Sequence, residues 1–174
     1  MAKPEDKTIL VVDDEEDVRE YLSTVLEDVG FNVVTAQDGN QALERLKEKT
    51  PDFISLDLVM PGKSGMRFLH DMRRNKDWAC IPFVVVTAHA NDELGKDDLQ
   101  DILENGASSR PNVYLEKPVK PERYVRLICD RLGVELDQSG EALIVDDLRN
   151  QAASLLKGAS REQLENVISV LKKS

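Results

Sequence analysis

Five side chains in this sequence combine types and positions that suit chemistry on a phosphoryl group: Asp13, Asp14, Asp57, Thr87 and Lys117. Asp13 and Asp14 end the run "ILVVDD", Asp57 interrupts "ISLDLVMPG", Thr87 ends "FVVVT", and Lys117 follows "YLE". Asp57 is the most informative of them. Ile54, Leu56, Leu58 and Val59 around it are apolar, and Pro61 and Gly62 close the run with a turn. An isolated charge inside a core is costly unless it is paired, neutralised or bound to a metal. A carboxylate at the C-terminal end of a buried strand escapes that cost by opening onto a crevice, where open parallel sheets bind their ligands. Three carboxylates in one crevice repel, and a hard divalent cation removes the repulsion. Mg²⁺ suits such a site, because it takes oxygen ligands and keeps several waters. Asp57 then serves as both metal ligand and carboxylate nucleophile. Thr87 and Lys117 hold the oxygens of the transferred group.

The elements that must position these residues are legible as short apolar runs separated by helical patterns. "TILVVDD", "FNVVTA", "DFISLD", "IPFVVVTA" and "NVYLEKP" read as five strands. Val18, Tyr21, Leu22, Val25, Leu26 and Val29 keep helical spacing, and Gly30 stops that helix. Ala42, Leu43 and Leu46 mark a second helix, and Met66, Phe68, Leu69 and Met72 a third. A polar stretch at about 92–105 reads as another helix. Tyr124, Val125, Leu127, Ile128 and Leu132 mark the last helix of this series, after Pro121. Strict alternation predicts an α/β fold with a five-stranded, doubly wound parallel sheet covered by helices on both faces. The strand C-termini then share one edge, which gathers the five residues.

Composition narrows the function classes. The chain has 174 residues, 41% of them hydrophobic, enough for one full domain and a small addition. A formal net charge of −10 argues against nucleic-acid and anionic-membrane surfaces, which need dense Lys and Arg. The apolar runs are too short for a transmembrane helix, and "MAKPEDK" lacks an apolar signal core, so a cytoplasmic location is expected. Cys80 and Cys129 have no metal or redox spacing and read as small buried apolar side chains. His70 and His89 read as surface or helix-face residues.

Residues 8–132 resemble the response-regulator receiver domain of two-component signalling, on "VVDDE", "LDLVMPGKSG", "VVVTA" and "YLEKP" in order. Each motif alone is weak, and the four together are specific. The resemblance implies a flavodoxin-like fold and a phosphoryl group received on Asp57 from a histidine kinase or histidine phosphotransfer protein. Asp14 then binds Mg²⁺ directly and Asp13 through water. The Val59 carbonyl is a further ligand, and Thr87 and Lys117 bind the phosphoryl group. Tyr114 falls at the position of the switch aromatic, and Lys117–Pro118 at a cis peptide bond. An apolar Val59 offers no hydrogen bond to attacking water, which implies slow autodephosphorylation, and His89 flanks the same approach. The segment between Thr87 and Lys117 exceeds the family's usual length, which puts a standard partner docking mode in doubt.

Competing readings belong beside these. Asp14 could cap the first helix, a role compatible with metal binding. A haloacid-dehalogenase type of phosphohydrolase needs a second acid two residues after the nucleophile, and Val59 stands there, so no turnover of an external substrate is expected. A receiver-like interaction module that takes no phosphate is the other rival, but Asp14, Asp57 and Lys117 are all present. Residues 1–7 read as a disordered tail, and 133–174 as a polar linker and helical hairpin. Leu164, Val167, Ile168 and Leu171 form an apolar stripe there that suits a homodimer or docking on the receiver. The hairpin offers no basic recognition surface, so direct DNA binding is not expected, and the downstream partner is an unknown protein.

Overall fold

A computed structural model describes residues 2–60, 64–87, 114–136 and 160, with backbone alone at Thr87 and Tyr114. Its strands are β1 (Thr8–Val12), β2 (Asn32–Ala36), β3 (Phe53–Leu56), β4 (Phe83–Thr87) and β5 (Tyr114–Glu116). Its helices are α1 (Glu16–Asp28), α2 (Gly39–Glu48), α3 (Gly65–Arg74) and α4 (Pro121–Leu132). The sheet is parallel throughout, in the order β2-β1-β3-β4-β5. The five-stranded doubly wound fold expected from the alternating pattern is the fold observed.

Burial on both faces explains why β1, β3 and β4 read as continuous apolar runs rather than alternating ones, whereas the edge strand β2 is only partly covered. The pleat sends Ile9, Val11, Phe53, Val84, Val86 and Leu115 to one face, where Leu22 and Leu26 of α1 and Val125 and Ile128 of α4 cover them. Leu10, Val12, Ile54, Leu56 and Val85 go to the other, under Leu46 of α2 and Phe68, Leu69 and Met72 of α3. Helix ends follow local chemistry. Asp38 caps α2, its carboxylate accepting from the Asn40 and Gln41 amides, and Ser64 caps α3 by accepting from the Arg67 amide. Pro121 opens α4, whose left-handed C-terminal position is filled by Gly133 at φ 60°.

Three expectations are corrected. The tail assigned to residues 1–7 is ordered over 2–7: Pro4–Asp6 forms a 3-10 turn, and Ala2 pairs in parallel with Val134. Its partners lie far along the chain, with the Asn32 Nδ2 donating to the Glu5 carbonyl at 2.7 Å and Lys7 Nζ 3.0 Å from Asp52. Cys80 is exposed, because it sits in the turn before β4 while Ile81 takes the buried place; Cys129 is buried as expected. The N-cap of α1 is Glu15, not Asp14, with no capping bond from its side chain. The helix at 92–105, His89, and the hairpin with its homodimer stripe fall outside the described residues.

Candidate functional site

The topology fixes where a crevice must form. β1 feeds β2 on one side and is paired with β3 on the other, so the connections diverge above the β1–β3 seam. Asp13 and Asp57 stand directly beyond the paired ends Val12 and Leu56. Backbone bonds hold both in place: the Asp57 amide donates to the Val12 carbonyl at 2.9 Å and the Asp13 amide to the Ala36 carbonyl at 3.1 Å. Arg19 reaches back from α1 to donate to the Asp13 carbonyl at 2.8 Å, which ties the loop to its helix. Gly65 buttresses the other side. A Cβ there would collide with the Asp57 carbonyl oxygen and come within 2.7 Å of Leu58 Cα, so only glycine lets α3 start this close.

Lys117 joins the cluster from two strands away. Adjacent strands lie about 4.8 Å apart, so β5 is roughly 10 Å from β3, a span that a lysine stem crosses above the end of β4. Its Nζ donates to Asp57 Oδ2 at 2.8 Å and to Glu15 Oε1 at 2.8 Å, and lies 2.9 Å from Asp13 Oδ2. Asp13 and Asp57 are buried, at 1% and 4% exposure. The remaining oxygens of these two acids accept backbone amides, Asp13 Oδ1 from Glu15 and Asp57 Oδ1 from Val59. Burial would by itself lower the Lys117 pKa, but hydrogen bonds to Asp57, Glu15 and Asp13 outweigh it and hold the group well above the ordinary lysine value. Burial raises the Asp13 pKa, and Lys117 opposes that rise. The ammonium is therefore charged, and three carboxylates share it.

One oxygen each of Asp13, Asp14 and Asp57 fall within 4.8 Å of one another. At that spacing each pair of charges repels by at least about 3 kcal/mol at an effective dielectric of about 20. Asp13 Oδ2 is fully buried and, although its ion pair with Lys117 is close, it has no well-directed hydrogen bond among the described residues. An orphaned anionic oxygen in a group of three is the donor set a hard divalent cation needs, so these residues fit Mg²⁺. Val59, the expected carbonyl ligand, lies at the mouth and is 60% exposed.

The structure thus brings together Asp13, Asp14, Asp57 and Lys117. It places the backbone of Thr87 at the end of β4 in register with Glu116, and Tyr114 in register with Val85. The hydroxyl of Thr87 and the ring of Tyr114, with the phosphoryl-binding and switch roles assigned to them, lie outside what is described. The Lys117–Pro118 bond is cis. Sequence reasoning missed Glu15, whose only signal is its place in the acidic run 13–17, and it missed Gly65 as the buttress beneath Asp57. It read Tyr124 as a plain apolar position. The Tyr124 hydroxyl is in fact buried under the site, and burial pushes its pKa well up, with the Ser55 hydroxyl tempering the shift and the Asp13 charge adding to it.

A parallel five-stranded sheet with acids after β1 and β3 and a lysine after β5 defines the class of receiver folds. The chain belongs to the response regulator receiver domain family, whose model matches residues 9–128. It is 38% identical over 122 residues to the phosphate regulon transcriptional regulatory protein PhoB of Escherichia coli, a match covering 70% of this chain and 50% of that protein. It is 35% identical over 143 residues to the DNA-binding response regulator MtrA of Mycolicibacterium smegmatis, covering 80% and 57% respectively. The chain therefore spans about half the length of the curated relatives it matches. Among solved structures, chemotaxis protein CheY4 of Vibrio cholerae superposes with a TM-score of 0.62 at 28% identity, over 72% of this chain and 98% of that one. The receiver domain of NtrX from Brucella abortus gives 0.59 at 27%, over 73% and 99%.

Proposed function

We propose that this receiver is an active phosphoacceptor. Asp57 takes a phosphoryl group from a phosphohistidine on a histidine kinase or histidine phosphotransfer protein, in a reaction that needs Mg²⁺. The observation that carries the reading is the 2.8 Å contact between Lys117 Nζ and Asp57 Oδ2 inside a cluster of acids. A carboxylate oxygen of Asp57 forms the new O–P bond as the P–N bond breaks, and the imidazole nitrogen keeps that bond's electron pair. The product is an acyl phosphate. Lys117 supplies a fixed positive charge to the transferred oxygens. The Val59 amide, bonded to Asp57 Oδ1, holds the carboxylate in one orientation. Asp13, Asp14 and Asp57, with the Val59 carbonyl, would hold Mg²⁺, which when bound offsets the negative charge that gathers as donor and acceptor meet.

The new charge on Asp57 biases a conformational equilibrium that a downstream protein reads. The chain transforms no external substrate. Val59 stands where a phosphohydrolase would need its second acid, and a valine has no proton to give. The same side chain leaves attacking water without a hydrogen-bonding guide, which supports slow loss of the phosphoryl group. We place the protein in the cytoplasm with its kinase; no helix among the described residues is long and apolar enough to cross a membrane.

A second reading, that the chain also acts on DNA, is favoured by the names of the relatives, which sit uneasily with the expectation of no direct DNA binding. A mobility-shift assay with mixed genomic fragments, phosphodonor present and absent, decides between them. The phosphoacceptor reading is tested by incubating the full chain with a small acyl phosphate and Mg²⁺ and measuring intact mass. One phosphoryl adduct is expected, absent from Asp57→Asn and after chelation. An adduct that survives Asp57→Asn removes Asp57 from the role.

A further inference from the structure

Lys117 presents three N–H groups, and three carboxylates surround it: Asp57 Oδ2 at 2.8 Å, Glu15 Oε1 at 2.8 Å and Asp13 Oδ2 at 2.9 Å. An ammonium has no fourth donor. Hydrogen bonds to Asp57 and Glu15 take two of the three, and the Asp13 ion pair at 2.9 Å crowds the third, so a phosphoryl oxygen that binds Lys117 competes with carboxylates already there. The three differ sharply in what release would cost. Asp57 is the acceptor itself and carries the incoming group. Asp13 is 1% exposed, and its Oδ1 is tied to the Glu15 amide, so freeing its Oδ2 would leave a buried charge without a counter-ion. The Glu15 side chain is 60% exposed, and its carboxylate rehydrates as soon as it lets go.

We propose that Glu15 is a placeholder for a phosphoryl oxygen: in the resting site its carboxylate occupies the one exchangeable position on Lys117, and phosphorylation of Asp57 evicts it. This rests on the phosphoacceptor reading above. The chemistry of the exchange is even, since a carboxylate oxygen and a phosphoryl oxygen are both anionic acceptors of an N⁺–H bond at similar length. Glu15 and Asp57 touch the same nitrogen, so a group built on Asp57 arrives beside the Glu15 oxygen. Glu15 is thus a positioning residue. It holds the ammonium charged and aimed at Asp57 while the site is empty, and it competes with the phosphoryl group once that group arrives. The competition sets how readily the site retains any tetrahedral phosphoryl mimic.

The test uses beryllium fluoride as the probe, with the full chain at saturating Mg²⁺ and bound probe read by fluorine NMR. An exposed ion pair is worth about 0.2–1 kcal/mol, so removing the competitor in Glu15→Gln is expected to tighten probe binding roughly 1.5- to fivefold. Glu16→Gln removes the same charge one residue further on, at an exposed position on α1, and is expected to leave the affinity at the wild-type value. Urea midpoints of both variants are expected to match the wild type, a result that separates competition at Lys117 from a change in folding. Equal affinities for Glu15→Gln and Glu16→Gln would overturn the placeholder role, as would weaker binding by Glu15→Gln. A wild type that binds no probe and gains no mass from an acyl phosphate overturns the phosphoacceptor reading, and this proposal falls with it.

Discussion

Lys117 and Asp57, sixty residues apart in the chain, are joined by a 2.8 Å hydrogen bond from Nζ to Oδ2. The bond links the fifth strand to the third across the top of the fourth, so it exists only when the whole sheet is assembled. It also neutralises part of a buried acidic pair. Replacing Lys117 with Met keeps the stem and removes the charge, leaving Asp13 and Asp57 buried without their shared counter-ion. In chelator, Lys117→Met is expected to lose about 3–5 kcal/mol of stability, the cost of breaking a buried pair from one side. Millimolar Mg²⁺ is expected to return part of that loss. Urea denaturation with and without chelator measures both, and equal stability of variant and wild type in chelator would show that the ammonium does not compensate the acids.

Gly65 controls the same carboxylate from behind. A methyl group there meets the Asp57 carbonyl oxygen and the backbone of Leu58, neither of which can rotate away. Gly65→Ala is expected to cost roughly 1–3 kcal/mol, as overpacking does, and to reduce phosphorylation of Asp57 more than the stability loss alone explains. The comparison is made well below the urea midpoint, where the variant is folded. Normal phosphorylation in a destabilised Gly65→Ala would mean that α3 yields and Asp57 stays in place.

The sequence showed some of this site and concealed the rest for physical reasons. The central strands were legible because both their faces are buried, so Thr8–Val12 and Phe53–Leu56 could be read without any knowledge of partners. Asp57 was legible because a charge after such a run requires an explanation. Glu15 was not, since a third acid after a strand reads as an ordinary helix-start residue, and its importance comes from the reach of a lysine 102 positions away. The N-terminal turn was hidden for the same reason, its stability resting on Asn32 and Val134. Cys80 was misread because type alone suggests burial, whereas the turn before β4 decides it.

Metal binding should register as stability. The three clustered acids repel in the metal-free chain, and a ligand that binds only the folded form stabilises by RT ln(1 + [L]/Kd). At a Mg²⁺ concentration 100 times the dissociation constant this amounts to about 2.7 kcal/mol. A rise in the urea midpoint on adding Mg²⁺ is expected for the wild type and should shrink strongly in Asp14→Ala, with sodium chloride at matched ionic strength having little effect. An unchanged Mg²⁺ response in Asp14→Ala would exclude that residue as a ligand.

Alkaline pH should weaken the fold, and three groups push the same way. Burial, with a smaller contribution from the charge of Asp130, moves the Cys129 thiol up from 9.0 to about 11. Lys117 and Tyr124 also hold their protons above their ordinary values of 10.5 and 10.0. In each case the folded chain binds the proton more tightly than the unfolded one. The stabilising contribution is therefore complete below the unfolded pKa and is lost as pH rises through the folded one. Cys129 titrates first, so stability is expected to start falling near pH 9, by roughly 1–3 kcal/mol from this residue before its thiol ionises in the fold. Cys129→Ala should remove the decline between about pH 9 and 10 and leave the later one, which belongs to Tyr124 and Lys117. Thiol labelling gives a parallel reading: at pH 8 the exposed Cys80 is expected to react quickly, and Cys129 only in denaturant. An identical pH slope in Cys129→Ala, or two fast thiols in the native protein, would show that Cys129 is not held protonated in the core.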